Sequence, residues 1–319
     1  MRLSAVGFQI SAGAVAACLA CARTTTTLQS PAPASESAAP SIDIYLYRFA
    51  RSGPFGHGSV VFNITNRRGY DNQPSWDGND RIFYTSQSAK QTDIYEINFE
   101  TSRIGKLTNT PESEYSAALT PDGSGIAVVR VEVDSTQRLW RFSRAGDAPK
   151  VILPEIKPVG YFAWLDSTAL ALFVLGNPNT LQIANTQTGR ARVVTTNIGR
   201  SLQRVPGGRR ASYVHRVGTS WVLETVDPEP RQDLTFDIAT IGTLPDSADY
   251  VVWKSPTELF TAAGSKILRL KLPSKTWTLV DDLSGKGIRR ISRLALSPDA
   301  SKLAMVAEER PIDQVLVPR

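Results

Sequence analysis

The chain has 319 residues, 36 Lys+Arg against 30 Asp+Glu, 41% hydrophobic residues, and only two His and two Cys. Those counts exclude a three-His zinc, a four-Cys structural zinc, an iron–sulfur cluster and a multi-disulfide framework, all of which need more ligands. Function must come from backbone, carboxylate, Arg/Lys, Tyr and Trp groups, and no cofactor is expected.

Residues 1–22 read as an export signal: Arg2, an apolar run over residues 3–17, and no acidic residue before Glu36. The run is shorter than the roughly 20 residues that a spanning helix needs. Two exits are legible. Ala20-Cys21-Ala22 is an A-x-A cleavage site, and Val15-Ala16-Ala17-Cys18 resembles a bacterial lipoprotein box in which Cys18 carries lipid. Residues 23–40, rich in Thr, Pro, Ala and Ser, read as a disordered tether. The expected location is the bacterial envelope, free or held to the membrane by lipid, which the family resemblance given below narrows to a Gram-negative periplasm. For an exported protein nucleic acid is not an expected partner. The basic pairs Arg67-Arg68, Arg209-Arg210 and Arg289-Arg290 are scattered along the chain and form no single run.

From residue 41 to 319 the chain reads as one all-β domain. Runs rich in Val, Ile, Tyr, Phe and Trp lie at 42–49, 59–65, 81–85, 93–98, 125–131, 138–142, 169–174, 210–215, 221–225, 250–253, 258–262, 266–271 and 302–307, with turn clusters between them. A turn signal recurs at Pro74, Pro121, Asp166, Pro206, Pro256 and Pro298, at intervals of 47, 45, 40, 50 and 42 residues. That period is one propeller blade of four antiparallel strands. Pro presets the first corner, Asp bonds back to the backbone, and Gly takes the φ > 0 position.

Asn72-Gln73-Pro74-Ser75-Trp76-Asp77-Gly78, with Asp93-Ile94-Tyr95 and Gly105-Lys106-Leu107-Thr108 behind it, resembles a complete blade of the TolB-like, WD40-like propeller repeat. Thr120-Pro121-Asp122-Gly123 and Leu296-Ser297-Pro298-Asp299 repeat its core, while blades three to five keep Trp164, Trp221 and Trp253 and lose parts of it. The resemblance implies a six-bladed β-propeller of four-stranded antiparallel blades. It covers the propeller part alone, without the α/β domain that TolB carries in front. Strands at 42–49 and 59–65 have no turn motif before them, so they are expected to complete the last blade and close the ring without an open edge.

Nucleophile elbows, phosphate loops and H-E-x-x-H motifs are missing from the sequence. His57 falls in a Gly-rich link and His215 at the end of a strand. The segments leading into the innermost strands are therefore the binding candidates, read as loops around a channel mouth: Tyr70, Asp71, Asn72, Glu114, Tyr115, Tyr161, Arg200, Tyr250 and Arg289. Tyr and Arg are enriched at interface hot spots, and Tyr115 and Tyr250 each stand six residues before their Pro. The resemblance implies a non-enzymatic, monomeric propeller that binds a protein or peptide of the envelope. Two alternatives stay open: a glycan hydrolase or lyase using channel carboxylates, for which Asp71, Glu112, Glu114 and Asp249 are the candidates, and a mainly structural lipoprotein.

Overall fold

The structure, a computed structural model, describes residues 42–50 and 59–309. Cys18, the proposed signal and tether, and His57 lie outside the described residues. The chain starts with β1 (Ile42–Arg48) and β2 (Val60–Asn63). Blade one follows as β3 (Asp71–Asp77), β4 (Arg81–Ser88), β5 (Gln91–Asn98) and β6 (Arg103–Lys106). Blade two is β7 (Ser113–Leu119), β8 (Gly125–Val131), β9 (Gln137–Ser143) and β10 (Lys150–Val151). Blade three is β11 (Val159–Trp164), β12 (Ala169–Val174), β13 (Thr180–Asn185) and β14 (Ala191–Thr196). Blade four is β15 (Ile198–Arg204), β16 (Ala211–Val217), β17 (Ser220–Val226) and β18 (Ile238–Thr243). Blade five is β19 (Val251–Ser255), β20 (Glu258–Ala263), β21 (Lys266–Lys271) and β22 (Thr278–Asp282). A short 3-10 turn at Leu283–Lys286 leads to β23 (Ile288–Leu296) and β24 (Lys302–Glu309).

The last blade has strand order β2-β1-β24-β23, so the chain start supplies its two outer strands. β1 pairs antiparallel with β24 from Ile42 opposite Glu308 to Arg48 opposite Lys302. The reason is legible in β1 itself. Ile44 and Leu46 pack with Ile82, Tyr84 and Ile97 of blade one, while Tyr45 and Tyr47 pack with Phe260 and Ile267 of blade five. Period-2 alternation thus aims one strand at both neighbouring blades.

The second strand of each blade lies between two neighbours and carries at least four consecutive buried residues; all six residues of β12 are buried. The turn chemistry matches the sequence reading in blades two and six. Asp122 accepts from the Thr120 hydroxyl at 2.6 Å and the Ser124 amide at 3.1 Å, and Asp299 does the same with Ser297 and Ser301 at 2.6 and 3.1 Å. These hydroxyls and amides hold both carboxyls below the usual Asp range.

Pro74 departs from that reading. It lies inside β3, and the tight link of blade one is at Asp77 and Gly78. The register between β3 and β4 shifts between Asn72 and Ser75, and a residue without an N–H fits a bulge where the ladder is interrupted. Trp221 lies on β17, so it is not the counterpart of Trp76 or Trp164, which stand on innermost strands.

Gly146, in the link between β9 and β10, shows how closely the blades approach. Its φ is +80°, and a Cβ there would fall 1.9 Å from the Leu107 carbonyl oxygen of blade one. Gly146→Ala is expected to cost at least about 2 kcal/mol, combining left-handed strain with backbone overlap. Urea unfolding of the variant checks it, and a midpoint equal to wild type would refute the tight approach.

Candidate functional site

The first strands of the six blades, β3, β7, β11, β15, β19 and β23, converge on a central cavity of about 400 Å³. Ser75, Ala118, Ala163 and Ala295 stand at matching places on four of these strands, where small side chains let the strands approach. Each of the six strands carries a register shift. A bulge re-aims the residues before it relative to those after it. The ring is tied across at one such place: Gln73 Oε1 accepts from the Ser116 amide of the next blade at 2.9 Å and from the Thr85 hydroxyl at 2.7 Å.

The segments that the sequence suggested as loops are for the most part the first residues of the innermost strands; only Tyr70 and Tyr250 precede theirs. Five of the nine candidates come together. Tyr70 lies among Arg293, Tyr161, Tyr115 and Arg200, and burial pushes its hydroxyl up while the two arginines pull against that shift. Arg200 donates to Asp249 at 3.2 Å. Burial works against its charge, but Tyr161 and Asp249 offset this and hold the guanidinium above its ordinary value. Tyr250 accepts a hydrogen bond from Gln203 Nε2 at 3.3 Å.

The centre of this cluster is a residue the sequence reading did not select. Arg293 of β23 is 7% exposed and lines the cavity. Its guanidinium carbon lies 4.7 Å from the ring centroid of Tyr161 and 5.5 Å from that of Tyr250. Blade three stands opposite blade six in a ring of six, so Arg293 reaches across the lumen to Tyr161. Its only sequence signal is a charge inside the apolar stretch Ile291–Leu296.

The other four candidates face elsewhere. Asp71 is fully buried and accepts from Arg67 at 2.7 Å; Asn72 turns its side-chain oxygen to the Gln73 amide at 2.7 Å. Glu114 is fully buried, accepting from the Thr108 and Thr110 hydroxyls with Arg130 3.4 Å away. Arg289 is exposed and stands opposite Glu308 in the ladder. Glu112 pairs with Arg130. Among the described residues the cavity wall carries Arg200, Arg204 and Arg293 and no Asp or Glu. Among the described residues no group of three or more His, Cys, Asp or Glu could hold a metal ion. His215 is a half-buried sheet residue with Nδ1 3.1 Å from Glu224 Oε2.

Fold and site together define a closed six-bladed β-propeller with a basic, aromatic channel. The same architecture is found in an Agrobacterium tumefaciens protein assigned as TolB, at TM-score 0.64 and 11% identity over 86% of this chain and 100% of that one. It is also found in a chain of a nidogen–laminin complex (TM-score 0.58, 9% identity, 80% and 98% of the two chains). An oligogalacturonate lyase in complex with manganese shares it as well (TM-score 0.53, 14% identity, 79% and 80%). No protein-family model and no curated protein matches the sequence.

Proposed function

We propose that the protein is an exported, non-enzymatic β-propeller that binds a protein or peptide partner in the bacterial cell envelope. The observation that carries this reading is the convergence of Tyr161, Tyr250, Arg200 and Arg293 on the channel wall, with Tyr70 and Tyr115 within electrostatic reach of them. Large, stiff aromatic rings beside guanidinium groups are the chemistry of binding hot spots. The N-terminal sequence supports export, with Cys18 as the lipid-bearing residue or cleavage at the A-x-A site. The tether at residues 23–40 would then present a monomeric propeller in the periplasm, attached to the membrane or free. Among the described residues no helix is long and apolar enough to cross a membrane.

The fold likeness to an oligogalacturonate lyase keeps a glycan hydrolase or lyase as the second reading. Hydrolysis on two carboxylates needs them about 5–10 Å apart across the sugar. Asp71, Glu112 and Glu114 are engaged in ion pairs behind the cavity wall, and Asp249 is held at the rim by Arg200. Binding is therefore the preferred reading.

The test is a crosslinking pull-down from native envelope fractions, comparing wild type with Tyr70→Ala/Arg200→Ala. Neither side chain belongs to the hydrophobic clusters between the blades, so the melting temperature should hold. At least a tenfold loss of a crosslinked envelope protein is expected. A partner list unchanged in composition and yield would overturn the proposed binding face.

A further inference from the structure

Arg293 presents a problem that the propeller fold alone does not resolve. An arginine cannot shed its charge, and a buried charge without a counter-charge is costly. Other arginines packed in this molecule are answered: Arg130 by Glu112 and Glu114, Arg67 by Asp71, Arg210 by Asp237. Arg293, at 7% exposure, has no ion pair with an acid among the described residues. Nothing in β23 requires a charge there, since its neighbours Leu294 and Ile291 are ordinary core residues.

What surrounds Arg293 is shaped for a ligand. Rings of Tyr161 and Tyr250 lie against the guanidinium and stabilise the cation through their faces. Such stacking leaves the N–H edge of the fork free. Tyr70 stands within electrostatic reach of Arg293, and the Tyr250 hydroxyl, accepting from Gln203, keeps its own proton for donation. The other two cations of the wall carry less weight. Arg200 is answered by Asp249, and Arg204 is exposed with its Nε on the Gly208 carbonyl at 2.7 Å. One uncompensated planar cation beside a hydroxyl donor matches one planar monoanion held by two parallel N–H···O bonds. A cavity of about 400 Å³ lies within the usual size of ligand sites, roughly 300–1,000 Å³.

We infer that the channel is a carboxylate-binding site, with Arg293 as its bidentate anchor, and that it receives the carboxylate of a peptide segment of the partner. This deepens the binding reading above and rests on it. A peptide is favoured because the partner read above is a protein or peptide, and a chain carboxylate is the planar monoanion that such a partner brings to a fork of N–H donors.

The experiment uses the full chain and two probes, N-acetyl-triglycine and its C-terminal amide, which differ only in the terminal charge. Binding is followed by NMR titration at low ionic strength. The acid is expected to bind at least tenfold more tightly than the amide. Arg293→Gln should erase that preference, and Arg293→Lys, which keeps the charge but loses the fork, should retain only part of it. Should Arg293→Gln fail to fold, the acid/amide ratio in wild type and in Arg293→Lys decides alone. Equal binding of acid and amide, or an undiminished preference in Arg293→Gln, overturns the site. Tighter binding of inorganic phosphate or digalacturonate than of the tripeptide acid overturns its assignment to a peptide. If the acid fails to bind while the envelope partner still depends on Tyr70 and Arg200, the carboxylate assignment falls and the binding reading stands. If Arg293 selects the acid while that partner is unaffected, the partner reading falls and the carboxylate site stands.

Discussion

Deleting residues 1–65, and β1 and β2 with them, unfolds the whole ring rather than one blade. Ile44, Tyr45, Leu46 and Tyr47 are all at least 94% buried, split between the interfaces with blades one and five. Burying a large apolar side chain is worth about 1.5–3 kcal/mol, so these four alone account for roughly 6–12 kcal/mol. A whole domain has only about 5–15 kcal/mol of net stability. The deletion also removes the whole ladder from Ile42 opposite Glu308 to Arg48 opposite Lys302, and leaves β24 as a bare edge. Near-UV circular dichroism and gel filtration should therefore show a truncate without fixed tertiary structure, eluting as aggregate. A monomeric truncate with a cooperative melt would defeat the closure argument.

That closure was legible because β1 is long, alternating and unaccompanied by a turn motif, and because the spacing near 45 residues left the last blade two strands short. The outer strands of the other five blades were not legible. β6 is exposed at all four positions and β10 is two residues long, so neither carries a hydrophobic pattern. Of the innermost strands only β19 stands among the sequence runs, and the others escape for a different reason. They line a cavity with small or polar residues and change phase at a bulge, so β7 shows buried residues only at Glu114 and Ala117. Pro74 was misplaced by the same effect, since a bulge tolerates Pro as readily as a turn does.

The channel mouth divides along similar lines. Tyr70, Tyr115, Tyr161, Arg200 and Tyr250 were found because aromatic and basic residues recur just before or within the starts of innermost strands. The sequence points to Arg289 because it belongs to the basic pair Arg289-Arg290 at the entry to the strand, although Arg293, five residues before Pro298, stands nearer the six-residue spacing of Tyr115 and Tyr250. The register shift between Arg289 and Arg293 decides between them in three dimensions. It leaves Arg289 on the outside opposite Glu308 and puts Arg293 into the lumen. A one-residue change of phase in a strand moves a side chain to the other face, and no local composition reports it.

Arg130→Ala is expected to destabilise the domain by about 3–5 kcal/mol at pH 7, the range for stranding one member of a buried ion pair. Arg130 of β8 is itself buried, stacks 4.7 Å from the Trp140 ring centroid, and faces both Glu112 and Glu114. Burial already raises the Glu114 carboxyl above its ordinary value, against the Thr110 and Thr108 hydroxyls and Arg130, while Asp93 adds to the rise. A carboxyl whose folded pKa exceeds its unfolded value of about 4.3 holds a proton that the unfolded chain releases. Stability from that group is fully present below the unfolded pKa and is lost as pH rises through the folded one. Removing Arg130 takes away a lowering influence and carries the folded pKa of Glu114 higher still. The penalty of Arg130→Ala should therefore be smallest near pH 4 and grow towards pH 7, above a constant part due to the lost contact with Trp140. Adding Glu114→Gln should recover most of the growing part, because the amide needs no counter-charge and can still bond the two threonines. Urea titrations of wild type, Arg130→Ala and Arg130→Ala/Glu114→Gln at pH 4, 5.5 and 7 measure all three quantities. An Arg130→Ala penalty that stays flat with pH would show that the pair stabilises the blade by packing rather than by charge.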